Sequence, residues 1–187
     1  MRIVGGRYRS RQIDAPKGMD TRPTLDQTRE ALFNILQGRV EDTVFLDLFA
    51  GSGAVGLEAV SRGAREAVLC DHSRAACACI RENIRRLGCE PSARLLAMPA
   101  EQALRLLASE GVRFDLVYLD PPYAVSLTAY LAALAEFRLL APCGLVIAEH
   151  RADTPPEAPA PLALTRRKAY RDTVLSFYTW AEPRPME

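Results

Sequence analysis

Asp47-Leu-Phe-Ala-Gly51-Ser-Gly53-Ala-Val-Gly56 is the stretch on which the reading of the fold turns. It lies between an apolar run at residues 43–49 (TVFLDLF) and a helical pattern at residues 54–63 (AVGLEAVSRG), so the glycines fall in a strand-to-helix turn. Glycine there admits positive φ and lets the backbone pass close to a ligand. Asp71 closes the next apolar run, 20 residues after Gly51. An acid at that place accepts hydrogen bonds from ribose hydroxyls. Taken literally, Gly51-x-Gly53-x-x-Gly56 is a dinucleotide fingerprint. By itself it does not separate NAD from another adenosine-containing cofactor. Asp47 tilts the choice, because a carboxylate sits badly beside a pyrophosphate and well beside a cationic amino or sulfonium group.

Outward from this loop the strand–helix alternation repeats. Strands are predicted at 66–71, 93–98, 114–120 and 144–150, with helices at 73–88 (capped by Ser73), 100–111 and 126–140. The strands are short continuous apolar runs, as expected when helices cover both sheet faces. The pattern predicts a doubly wound, mostly parallel α/β sheet. Upstream, residues 24–37 read as a helix, with Thr24-x-x-Gln27 resembling a capping box, Leu25, Leu32 and Leu36 on one face, and Gly38 as the stop. Downstream, the proline-rich stretch 153–161 connects to runs at 162–170 and 172–180. These predict an antiparallel hairpin turning near Arg171-Asp172, which brings the sheet to seven strands. Residues 1–23 are set apart as a basic extension that includes a small hairpin, and residues 24–187 as the main domain.

The second chemical signal is Asp120-Pro121-Pro122-Tyr123, after the run FDLVYL. This is the carboxyl end of a strand, the ligand-binding edge of an open α/β sheet. Two prolines stiffen the loop and remove two N–H donors. The Asp120 carboxylate and the Pro121 carbonyl are then two acceptors beside the flat face of Tyr123. Such a set suits an exocyclic amino group on a planar base.

Composition sets outer limits. Of the 187 residues, 49% are apolar and 25% charged, which suits one soluble domain rather than a disordered chain. No uncharged apolar run approaches a membrane span of about 18 residues. The first residues lack the apolar core of a secretory signal, so a cytoplasmic location is expected. Five cysteines without a C-x-x-C pair, and only two histidines, predict reduced thiols and no metal. His72 and His150 are read as structural or surface residues. The net charge of +1 is unevenly spread: residues 1–29 carry +4 and the remainder −3. A basic front end hints at a polyanionic partner.

Taken together, Asp47-Leu-Phe-Ala-Gly-Ser-Gly53 and Asp120-Pro-Pro-Tyr123 resemble the class I, S-adenosylmethionine-dependent methyltransferases that modify exocyclic nitrogens. Arg2-Ile-Val-Gly-Gly6, Arg22-Pro-Thr24 and Arg29-Glu-Ala-Leu-Phe-Asn34 resemble a narrower family, the bacterial enzymes that form N2-methylguanine in 16S ribosomal RNA of the small subunit. The likeness runs from Arg2 to about Trp180. It implies a Rossmann-like class I methyltransferase fold with S-adenosylmethionine as cofactor. Ala50, Gly51 and Gly53 would pack on the methionine end of the cofactor, and Asp47 would lie near its amino group. Asp71 would hold the ribose, and Thr24 would close the pocket beside Arg22. Asp120, Pro121 and Tyr123 would hold the guanine. One departure stands out: where Asn or Asp usually reads the adenine, this chain has Met98-Pro99-Ala100, which leaves the Ala100 backbone or Glu101 to do so. The expected partner is 16S rRNA, in the small subunit or an assembly intermediate. Arg2, Arg7, Arg9, Arg11 and Arg22 would contact the RNA, while Arg166-Arg167-Lys168 is either a phosphate contact or a solvated edge.

Three other readings are kept. A DNA adenine-N6 methyltransferase would use the same Asp-Pro-Pro-Tyr chemistry but leaves little chain for a target-reading domain. An NAD-dependent oxidoreductase leaves that motif unexplained. An idle RNA-binding module does not need Asp120 and Tyr123.

Overall fold

The computed structural model describes residues 1–16, 23–122, 124–153, 155–170 and 173–181, with backbone alone for residues 23–26. Its elements alternate as predicted: α1 (Pro23–Ile35), β1 (Val44–Asp47), α2 (Ala54–Ser61), β2 (Glu66–Asp71), α3 (Arg74–Leu87), a 3-10 turn (Glu90–Ser92), β3 (Ala93–Ala97), α4 (Ala100–Ser109), β4 (Phe114–Leu119), α5 (Leu127–Glu136), β5 (Leu140–Arg151), β6 (Leu162–Tyr170) and β7 (Thr173–Trp180). The strands form one seven-stranded sheet in the order β3-β2-β1-β4-β5-β7-β6. No helix among the described residues is long and apolar enough to cross a membrane.

The chain divides into two compact units, Met1–Ala103 and Leu104–Glu187. In the first, β1, β2 and β3 run parallel, with Asp47 paired to Leu69 and Asp71 to Ala97. All four β1 residues are buried, and Leu32 and Phe33 of α1, with Leu36 just past its end, join the core. The α1 side chains at Thr24 and Leu25 lie outside the described residues, so the capping box and the third leucine of the face are not placed. Ser73 caps α3 as predicted, accepting the Ala76 N–H.

The N-terminal segment packs on this unit. The expected hairpin reduces to one bridge, Arg2 to Gln12, around a loop with positive φ at Gly6 and Ser10. Ile3, Tyr8 and Ile13 are buried, while Arg2, Arg7, Arg9 and Arg11 are exposed. Glu58 of α2, fully buried, holds the segment down: its two oxygens accept the Val4 and Gly5 N–H groups and pair with Arg62 and Arg29.

In the second unit β4 and β5 are parallel, β5 and β7 antiparallel, and β6 and β7 antiparallel. The C-terminal hairpin is therefore present, although its turn at Arg171-Asp172 lies outside the described residues. The fifth helix was expected to reach residue 140, but it stops at Glu136. Arg138 turns into the left-handed region at φ 51, and the Leu139 N–H returns to the Leu134 carbonyl. This is a helix-ending turn of the kind glycine usually makes. With arginine there, the sequence carries no stop signal. β5 consequently starts at Leu140, with an irregularity opposite Phe114 and Leu116.

Candidate functional site

In the first unit the glycine loop leaves β1 and enters α2. Gly51 and Gly53 both take positive φ, at 55° and 79°, and the Gly53 N–H closes a tight turn on the Ala50 carbonyl at 2.6 Å. Gly56 serves a different end. A Cβ there would meet Leu69 Cγ at 2.9 Å, so its absence lets α2 pack against β2. Asp47 is buried and accepts the Gly56 N–H at 2.9 Å, satisfying a backbone donor in the first turn of α2. Burial pushes its carboxyl up to about 7; the Gly56 hydrogen bond pulls it down, and the nearby Asp71 charge adds to the rise.

Asp71 lies half-buried at the end of β2. One oxygen accepts the Gly51 N–H at 2.9 Å and the other the Ser73 N–H at 2.8 Å. It therefore fixes the loop and the start of α3, a structural duty that its place in the sequence does not reveal. Each carboxylate oxygen has a second lone pair for a hydroxyl. Asn83 of α3, fully buried, donates to the Ser52 carbonyl and to the Asp14 carbonyl, and accepts the Asp14 N–H. It braces the loop against the N-terminal segment and was not singled out from sequence.

Ala100 begins α4, and the Pro99 carbonyl accepts the Gln102 and Ala103 N–H groups. The first N–H groups of a helix have no partner within it, which suits recognition by backbone. Positive-φ glycines at a strand end, a carboxylate with spare acceptor capacity and a helix start following β3 together fit an adenosine-containing cofactor.

In the second unit Asp120 is exposed, one residue beyond β4. The Pro122 carbonyl accepts the Val125 N–H at 2.9 Å; among the described residues no hydrogen bond reaches the Pro121 carbonyl. Tyr123, Arg22 and the Thr24 side chain lie outside the described residues. Asp120 and Pro121 line a cavity of about 300 Å³, together with Glu149 and His150 of β5, Ser126 before α5, and Pro156. The proline-rich stretch, read from sequence as a connection only, forms a wall of this cavity. It is tied down by the Tyr178 hydroxyl donating to the Pro156 carbonyl and the Glu157 N–H donating to Thr128 Oγ1.

His150 is structural, as read from sequence. Nδ1 lies 2.6 Å from the Arg151 carbonyl and Nε2 lies 2.8 Å from Ser176 Oγ. A carbonyl only accepts, so Nδ1 carries the proton and Nε2 accepts from the serine. Burial holds the ring below its ordinary value, which keeps it neutral. Glu149 was missed: the run GLVIAEH reads only as a buried strand. Its carboxylate accepts the Tyr118 hydroxyl, and burial pushes it above the usual range.

The sheet order, the glycine loop and the acid at the end of β2 define a Rossmann-like class I methyltransferase, the class that uses S-adenosylmethionine. The family model described as "Conserved hypothetical protein 95" matches residues 1–179, and the chain belongs to that family. The "Ribosomal RNA small subunit methyltransferase D" of Escherichia coli strain K12 is 35% identical over 180 residues, covering 95% of this chain and 89% of that protein. The solved structure titled "Putative methyltransferase yhhF from Escherichia coli" superposes with a TM-score of 0.84 at 34% identity, over 97% of this chain and 98% of that one. A hypothetical protein from Thermus thermophilus superposes with a TM-score of 0.80 at 36% identity, covering 95% and 98%. These findings bear out the family resemblance carried by the sequence motifs.

Proposed function

We propose that the chain methylates the exocyclic N2 of a guanine in 16S ribosomal RNA, using S-adenosylmethionine. The observation that carries this is the pair of acceptors at the end of β4, the exposed Asp120 carboxylate and the Pro121 carbonyl, opening on a cavity small enough for one base. The relative named as a small-subunit rRNA methyltransferase supports the substrate class.

When bound, S-adenosylmethionine supplies an activated methyl group on sulfur. The chain supplies the rest. Asp71 holds the ribose; Ala50, Gly51 and Gly53 line the methionine end; Asp47 faces the amino group; Ala100 offers backbone to the adenine; and Thr24 closes the pocket. Asp120 and the Pro121 carbonyl accept the two N–H bonds of the target amino group. This turns its lone pair out of conjugation with the ring and toward the methyl group. Tyr123 stacks on the base, which must leave any helical stack to enter. On taking up the methyl group, N2 would give up one proton, which Asp120 is placed to accept or to pass to water. Positioning and fixed acceptors do most of the work.

The test is methyl transfer from labelled S-adenosylmethionine to small ribosomal subunits, to free 16S rRNA and to duplex DNA, with nucleosides identified by mass. N2-methylguanosine in rRNA is expected, lost in Asp120→Ala while calorimetric cofactor affinity stays within about twofold. N6-methyladenine in DNA, or no transfer at all, would overturn the reading.

A further inference from the structure

Resting on the function proposed above, we propose that Glu149 sets the base specificity of the target pocket by accepting the N1–H of the guanine whose amino group is held at Asp120 and Pro121. The register brings it near. Leu119, the last residue of β4, pairs with Ala148 of β5, so Asp120, one residue beyond β4, and Glu149 of β5 are the next residues after that pair. Side chains alternate along a strand. Tyr118 and Glu149 therefore share one face of the sheet, and the hydrogen bond from the Tyr118 hydroxyl to Glu149 Oε2 agrees with this. Asp120 and Glu149 both line the same cavity, entirely within the second unit.

The chemistry selects guanine. Its N1–H and N2 amino group are adjacent donors on one edge, and two neighbouring carboxylates are acceptors. Adenine offers an amino group beside an N1 lone pair, which a carboxylate at Glu149 repels. Tyr118 occupies Oε2 and fixes the carboxylate's orientation. Oε1 has no hydrogen bond among the described residues, so it is the oxygen left for the base. Burial disfavours the charge on this group, and a bound N1–H offsets that cost.

The test separates recognition from a structural role. Once the methylated position is located by mass mapping, the substrate is prepared with guanine or with 2-aminopurine there. 2-Aminopurine keeps the amino group and lacks the N1–H. The wild type, Glu149→Ala and Glu149→Gln are compared by kcat/KM on both. Glu149→Ala should lose about tenfold to a hundredfold on guanine and little on 2-aminopurine, so the preference collapses. Glu149→Gln keeps a partner for Tyr118, and its amide donates to the bare N1, so it should shift the preference further toward 2-aminopurine. Equal losses on both bases, with the preference unchanged in both variants, would overturn the inference while leaving the proposed function intact. A wild type that forms no N2-methylguanosine would overturn the proposed function, and this inference with it.

Discussion

Asp47 combines burial with an ionisable group. Its folded value of about 7 lies above the ordinary 3.8. The folded state therefore binds more protons than the unfolded state between those values, and Asp47 subtracts stability as pH rises through that window. The full cost is present above about 7 and is on the order of 4 kcal/mol at most. Asp47→Asn removes this titration and keeps an acceptor for the Gly56 N–H, though its own amide protons go unmet. The stability of Asp47→Asn relative to the parent should rise from about pH 4 to about pH 7 and then level off, as followed by urea melts. A difference that falls with pH would mean that Asp47 does not titrate as argued. The same variant should bind S-adenosylhomocysteine more weakly if Asp47 faces the cofactor's amino group. Gly56 makes a separate demand: Gly56→Ala should cost about 1–3 kcal/mol, because Leu69 Cγ lies 2.9 Å from the new Cβ. A denaturation midpoint equal to the parent's would show that β2 can yield. At this scale the glycine loop, Asp71 and Asp120 were legible, because unusual backbone and strand-end acids leave marks in a sequence. Glu58, Asn83 and Glu149 were not. A buried acid or amide in a helix or strand is spelled like a solvated one, and only its partners, far off in sequence, distinguish it.

The elements were legible where punctuation was ordinary and blurred where it was not. Ser73 caps α3 as predicted, and Gly88, in the left-handed region, ends it one residue before the predicted limit. Arg138 in a left-handed turn ends α5 without announcing itself. The N-terminal segment shows the same limit: the sequence predicts a small hairpin there, whereas Gly6 lies where a Cβ would fall 1.9 Å from the Ser61 carbonyl oxygen. The segment is moulded to the end of α2 more than to itself. Glu58 is its anchor, so Glu58→Ala should strip the Val4 and Gly5 N–H groups of their acceptor and leave Arg29 and Arg62 without their buried counter-charge. Breaking such a set costs about 3–5 kcal/mol. Hydrogen exchange should show the Val4 and Gly5 amides losing protection far more than those of β2. Uniform loss across both would mean that Glu58 supports the whole unit rather than the docking of one segment.

Across the whole molecule, the near-neutral charge conceals a basic front end of +4 against a remainder of −3. Within residues 1–16 the backbone is tied to Glu58 and Ser61 of α2, and Arg2, Arg7, Arg9 and Arg11 are exposed upon it. Arg7 lies over the Tyr8 ring, and Arg11 donates to the Arg86 carbonyl, so these side chains start from defined places. Arginine suits bidentate phosphate binding and stacking on exposed bases. The segment is also tied to the glycine loop, through Asn83 and through the Ser52 hydroxyl donating to Met1 Sδ. On the proposed reading, replacing Arg7, Arg9 and Arg11 together by Ala should weaken binding of 16S rRNA. It should also flatten the log–log salt dependence by about 0.7–0.9 for each phosphate no longer neutralised. Cofactor affinity should not change, because none of the three bonds to Asp71, Asp47 or the loop. The measurement is RNA affinity at several salt concentrations, with cofactor calorimetry on the same protein. A parallel triple variant at Arg166, Arg167 and Lys168, exposed on the outermost strand β6, is the comparison. If the N-terminal variant keeps the parent slope and the β6 variant loses it, RNA recognition belongs to the C-terminal hairpin, and the basic front end is a solvated surface.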